Sequence, residues 1–123
     1  MDDLILKVEN WAVERGLHEA DPYKQILKVV EETGEIAGAL ARNNTDEAHV
    51  EIGDGVVTLI ILSMQLNVDI EDCLEAAYEK IKDRKGKNIN GIYVKEEDIE
   101  LAMDCLEAAL AVYQDREKYE HEI

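Results

Sequence analysis

Five carboxylates on two neighbouring helical segments are the residues best placed to do chemistry in this chain. Glu31, Glu32 and Glu35 form one group, and Glu51 and Asp54 the other. At 3.6 residues per turn the first three fall within roughly 100° of one another. Glu51 and Asp54, three apart, share a face in the same way. Ile26, Leu27, Val29, Val30, Ile36, Ala37 and Leu40 surround the trio, and Val50, Ile52, Val56, Val57 and Leu59 to Leu62 surround the pair. Acids at the edge of a core are costly unless something positive neutralises them. Mg²⁺, a hard cation that takes oxygen ligands, does this well, so a metal site is expected. The plainer alternative is a hydrated acidic face, because 29 of the 123 residues are Asp or Glu. The second segment weighs against it. Residues 56–62, Val-Val-Thr-Leu-Ile-Ile-Leu, hold one polar member, so a central helix is expected whose polar start faces another element.

An all-α bundle of four to five helices is expected to position these groups between its two central helices. A first helix over about 3–15 carries the apolar stripe Leu4, Ile5, Val8, Trp11 and Ala12 and stops at Gly16. A second begins at Asp21-Pro22, a cap residue followed by proline in the first turn, and runs to about Arg42. Asn43 to Asp46 form a loop, and the third helix covers about 46–66. A fourth is expected over about 70–85, with Ile70, Cys73, Leu74, Ala77 and Ile81 inward. Residues 86–95 read as irregular, with a short strand at Ile92 to Val94. A last helix over about 96–120 opens on Glu96-Glu97-Asp98, acids suited to an N-terminal turn.

Length and composition fit one compact domain over residues 1–123. Phe is absent and Pro occurs once, which favours helices over a turn-rich β fold. The longest apolar stretch falls short of the ~20 residues that span a bilayer, and Met1-Asp2-Asp3 is acidic where a signal peptide is basic. A cytoplasmic protein without a membrane partner is expected. Cys73 and Cys105 lie in helical patterns without Cys-x-x-Cys spacing and read as reduced core residues; His18, His49 and His121 read as surface. The net charge of −16 excludes non-specific nucleic-acid binding, which needs Lys and Arg against phosphates. Lys80, Lys82, Arg84, Lys85 and Lys87 nevertheless fall within eight positions. They either complement a helix C-terminus or hold phosphates.

The pattern Glu31-Glu32-Thr33-Gly34-Glu35, fifteen residues, then Glu51-Ile52-Gly53-Asp54 resembles the metal motif of the MazG-like, all-α nucleoside triphosphate pyrophosphohydrolases. The likeness extends to the approach Gln25 to Lys28, the apolar helix after Asp54, the acidic restart at Asp69 to Asp72 and the basic exit to Arg84, covering about residues 5–95. Gly stands at position 53, where a larger residue is expected, and again at 55; each loosens the helix by about 1 kcal/mol without removing a ligand. The resemblance implies hydrolysis of a (deoxy)nucleoside triphosphate to monophosphate and pyrophosphate. It implies Glu32, Glu35, Glu51 and Asp54 as ligands of Mg²⁺, with Mn²⁺ as the alternative ion, and Glu31 as the group that orients or deprotonates water. Lys28, one turn before, shares that face and is assigned to a carboxylate or a phosphate. The resemblance favours phosphate contacts for Lys80 and Arg84, with Lys87 as a further candidate, and it implies a homodimer or homotetramer. Trp11 is either core or a wall on which a base stacks.

Two alternatives stand beside this. One is a phosphoribosyl-ATP or dUTP-type pyrophosphohydrolase with the same metal chemistry; the other is a non-catalytic acidic interaction protein. A scaffold would not need the two acidic groups to converge. Separately, Asp72 to Ala77 recurs verbatim as Asp104 to Ala109, but the copy lacks the basic residues that follow the first. The last helix is therefore expected to be structural.

Overall fold

The computed structural model describes the backbone of residues 2–122 and side chains as far as 117. The surface expectation for His121 lies outside the described side chains. The fold is all-α with one small hairpin: α1 (Asp2–Glu14), a short 3₁₀ turn (Leu17–Glu19), α2 (Pro22–Ala41), α3 (Thr45–Gln65), α4 (Ile70–Ile81), β1 (Gly86–Ile89), β2 (Ile92–Lys95) and α5 (Glu96–Glu122). It divides into two compact units, Met1–Ala77 and Tyr78–Ile123.

In the first unit, α2 and α3 form the main helix pair, and α1 and the 3₁₀ turn pack on α3. Local chemistry fixes where α2 and α3 start. The Asp21 side chain accepts a hydrogen bond from the Tyr23 N–H at 2.9 Å, with Pro22 in the first turn. The Asn44 side chain accepts one from the Glu47 N–H at 3.1 Å. Both caps satisfy donors that a helix start leaves open. The link between α2 and α3 turns at Asn43, held at φ 54°, a left-handed conformation that Asn tolerates. The buried apolar residues are Ala12, Ala39, Ala48, Ile60 and Ile61. Three are alanines, so the backbones approach closely. Gln25 Nε2 donates to the Thr58 carbonyl at 3.1 Å, tying α2 to α3, and Gln65 Nε2 donates to the Leu17 carbonyl at 3.0 Å.

Several expectations are corrected. α3 is central, yet it exposes Ile52, Val56 and Leu59 along one side and Val50 nearer its start, because α1, α2 and the turn cover only the remainder. α4 buries none of its residues, and Leu74 is 62 % exposed. Its stripe is amphipathic, but none of the described residues covers it fully. Cys73 and Cys105 are free and exposed for the same reason. His18 is half-buried, with Nδ1 shielded and unpartnered, whereas His49 is exposed.

α4 also ends at Ile81, four residues short of expectation. Arg84 N–H bonds back to the Ile81 carbonyl as a turn, and the Tyr93 hydroxyl donates to the Arg84 carbonyl at 3.2 Å. In the second unit, residues 86–95 form a regular antiparallel hairpin with Gly86 opposite Lys95 and Ile89 opposite Ile92. Asn90 and Gly91 close it at φ 52° and 83°, the paired positive values of a two-residue type I′ turn. Gly86 must be glycine, since a Cβ there would collide with the Val94 carbonyl and the Tyr93 ring. α5 packs on both strands.

Candidate active site

The acidic cluster is assembled by α2 and α3. Oxygens of Glu31, Glu32 and Glu35 lie within 4.8 Å of one another, and so do oxygens of Glu32, Glu51 and Asp54. Glu32 belongs to both sets and joins the two helices. All five carboxylates singled out from the sequence are thus brought together. Glu32 Oε2 and Glu51 Oε2 are each shielded from solvent without a hydrogen-bond partner. Such atoms are costly to keep bare.

The cost appears in the protonation equilibria. Glu51 is raised from an ordinary value of 4.5 to about 7, first by sharing a hydrogen bond with the Glu35 carboxyl, then by burial, then by the charges of Glu35, Asp54 and Glu32. Glu32 is raised as well, by burial first and then by Glu35 and Asp54. Crowded carboxylates hold protons because they cannot all ionise cheaply side by side. A cation would remove that penalty. An octahedral Mg²⁺ with oxygens at about 2.1 Å spaces its ligands roughly 3–4 Å apart. Within each group the oxygens already approach one another to within 4.8 Å, close enough to converge on one ion, so the donor set fits a hard divalent ion.

Lys28 and Glu31 form a pair at the rim. Lys28 Nζ lies 2.9 Å from Glu31 Oε2, and the carboxylate raises the lysine further above its ordinary value. Glu31 therefore stands apart electrically from its four neighbours. It has a bonded cation, whereas among the described residues neither Glu32 nor Glu51 forms an ion pair.

Trp11 is 44 % exposed, so it is not a buried core residue. With Lys7, Val8, Asp54 and Val57 it lines a slot of about 370 Å³ between α1 and α3. Arg15 lies over the indole, 4.3 Å from its centroid, and its Nη1 donates to the Trp11 carbonyl at 3.0 Å. The sequence reading missed Lys7, Val8, Val57 and Arg15. The i−4 and i+4 spacing of Lys7 and Arg15 about Trp11 was the signal available for those two.

The remaining candidates lie in the second unit. Lys80 and Arg84 line one open hollow with Asp83, Lys85, Lys95 and the start of α5, about 590 Å³. Lys87 lines a separate hollow of about 260 Å³ with Gly86, Glu96 and Ile99. Lys80 and Arg84 are thus grouped together, and Lys87 is not with them.

The helix pair gathers acidic side chains from a Glu-Glu-x-x-Glu turn and a Glu-x-x-Asp turn on an all-α fold. Residues 21–89, more than half of the chain, match the MazG nucleotide pyrophosphohydrolase domain, and the chain belongs to that family. The match is narrower than the resemblance at 5–95, and it leaves α1 and α5 outside. An uncharacterized 18.2 kDa protein in the rep-hol intergenic region of Haemophilus phage HP1 is 39 % identical over 70 residues, which cover 56 % of this chain and 43 % of that protein. The chain thus spans less than half the length of the curated relative it matches. No solved structure matches. Among the described residues no single helix is long and apolar enough to cross a membrane.

Proposed function

We propose that the chain hydrolyses a (deoxy)nucleoside triphosphate to the nucleoside monophosphate and pyrophosphate, in the cytoplasm and with Mg²⁺ or Mn²⁺. The observation that carries this is the meeting of five carboxylates across α2 and α3, with two shielded oxygens lacking any partner. Glu32, Glu35, Glu51 and Asp54 are the residues proposed to hold the metal. Once bound, the ion would neutralise the phosphates and make nearby water more acidic. A net charge of −16 makes such an ion necessary, since a polyanionic substrate is otherwise repelled.

Glu31 is proposed to receive the proton of the attacking water. The water oxygen forms a new P–O bond, the bridging bond between the α- and β-phosphates breaks, and pyrophosphate leaves with the electron pair. Lys28, bonded to Glu31, holds that carboxylate in place. Lys80 and Arg84 are proposed as phosphate contacts, with Lys87 the more distant candidate, and Trp11 as the surface on which the base stacks. A homodimer or homotetramer is proposed from the apolar side chains left exposed on α2, α3 and α4.

The test is a screen of the common and damaged NTPs and dNTPs for pyrophosphate release with Mg²⁺. Release from at least one, abolished by Glu35→Gln, supports the proposal. Absence of release from all of them overturns it.

A further inference from the structure

We infer that Lys7 selects the base, so that the slot between α1 and α3 takes nucleobases with a keto oxygen at C4 of a pyrimidine or C6 of a purine (uracil, thymine, guanine) in preference to cytosine and adenine, which carry an amine there. The nucleotide itself rests on the hydrolase reading above; the choice among bases rests on the slot. Three observations converge there. The slot has one aromatic wall, Trp11, two apolar walls, Val8 and Val57, and a candidate metal ligand, Asp54, at one side. Its volume of about 370 Å³ lies at the lower end of the range for small-molecule sites, which suits a flat heterocycle. Arg15 covers one face of the indole, which leaves the other for a planar ligand.

Lys7 supplies the polar group. In a chain with 29 acidic residues, Lys7 makes no hydrogen bond or ion pair among the described residues. An ammonium has three donors and no acceptor. It bonds a keto oxygen on the edge of a base, whereas an exocyclic amine at the same place presents only more donors. A hydrogen bond to a charged group is stronger than one between neutral groups, so the base that makes it is preferred. α1 lies outside the family match at 21–89, so this preference is a property of the chain's own first helix.

Trp11 is the sole tryptophan, so its fluorescence reads the slot directly. Titration of the protein with UMP, dTMP and GMP in Mg²⁺ should quench it saturably, with midpoints at least tenfold below those of CMP and AMP. In Lys7→Met the gap should close to within about twofold, and the ratio of kcat/KM for dTTP over dCTP should fall about tenfold. Lys7 is exposed, so the variant should fold, and a melt checks that it does. Quenching by no nucleotide, or equal discrimination in Lys7→Met, overturns the proposal. Equal weakening of every nucleotide and of pyrophosphate would make Lys7 a phosphate contact and overturn it too. Base-selective quenching without cleavage of any triphosphate would leave the slot standing and remove the hydrolase reading instead.

Discussion

Glu32 on α2 and Glu51 on α3 bring carboxylate oxygens within 4.8 Å of each other, and each keeps one shielded oxygen without a hydrogen-bond partner. Carboxylates this close cannot all ionise cheaply side by side, so the metal-free site favours keeping a proton. Glu51 takes up most of the consequence and titrates near 7 instead of near 4.5.

Stability should therefore depend on pH in a definite direction. A carboxyl whose folded value is raised contributes stability that is fully present below about 4.5 and lost as pH rises through 7. Glu32 is raised too, so it acts with the same sign. The metal-free protein should melt at a lower temperature at pH 8 than at pH 5. Mg²⁺ competes with these protons, so its stabilising effect should be larger at pH 8. Thermal melts with EDTA and with Mg²⁺ across pH 5–8 check both. An effect of Mg²⁺ independent of pH would show that Glu51 is not a ligand.

The individual ligands give a second prediction. Glu35→Gln and Asp54→Asn should each cut turnover more than tenfold, a barrier increase above about 1.4 kcal/mol. Both should leave the fold intact and raise the melting temperature of the metal-free protein, because each removes one of the crowded charges. Steady-state kinetics and EDTA melts test the two halves separately. Retention of more than a tenth of wild-type activity would remove that residue from the ligand set.

Lys28 and Glu31 should behave as one unit. If Lys28 works by holding Glu31 in place, Lys28→Ala and Glu31→Gln each slow turnover about tenfold or more, and the double variant is little worse than Glu31→Gln. Fully additive losses would give Lys28 an independent contact, on phosphate.

How much of this was legible beforehand follows from the range of the interactions concerned. The caps at Asp21 and Asn44, the helical spacing of the acids and the stop at Gly16 are local, and the sequence shows them. The approach of Glu32 to Glu51 follows once α2 and α3 are known to be neighbours joined by a short turn. The Trp11 slot was not visible, since it depends on how α1 lies on α3. Nor was the first strand of the hairpin: Gly86-Lys87-Asn88-Ile89 has little strand propensity, and its partner Ile92 to Lys95 and the Asn90-Gly91 turn impose the pairing. The cysteines were misplaced because a helical stripe of Leu, Ala and Cys looks the same whether its cover comes from this chain or elsewhere.

That missing cover yields a prediction about assembly. Leu27 and Val30 on α2 and Leu74 on α4 are each more than 60 % exposed, and large apolar patches of this kind mark contact surfaces. Sedimentation at micromolar concentration should give a dimer or a tetramer. A monomer would contradict the proposal.

The basic segment can be decided by two variants. Complementing the helix dipole is a property of the last turn, and α4 ends at Ile81. Lys80 lies in that turn, whereas Arg84 lies three residues beyond the helix end, where the effect has faded. Its backbone carbonyl, moreover, is already bonded by Tyr93. If both residues bind phosphate, Lys80→Ala and Arg84→Ala should each raise KM or lower kcat with little change in melting temperature. Arg84→Lys should then fail to restore activity if its contact is bidentate, because lysine offers only a point charge. If they serve the helix end, Lys80→Ala should cost at most about 1 kcal/mol of stability, Arg84→Ala less, and turnover should be unaffected. Kinetics and a melt on both variants separate the two roles, and normal kinetics in both would remove them from the substrate site.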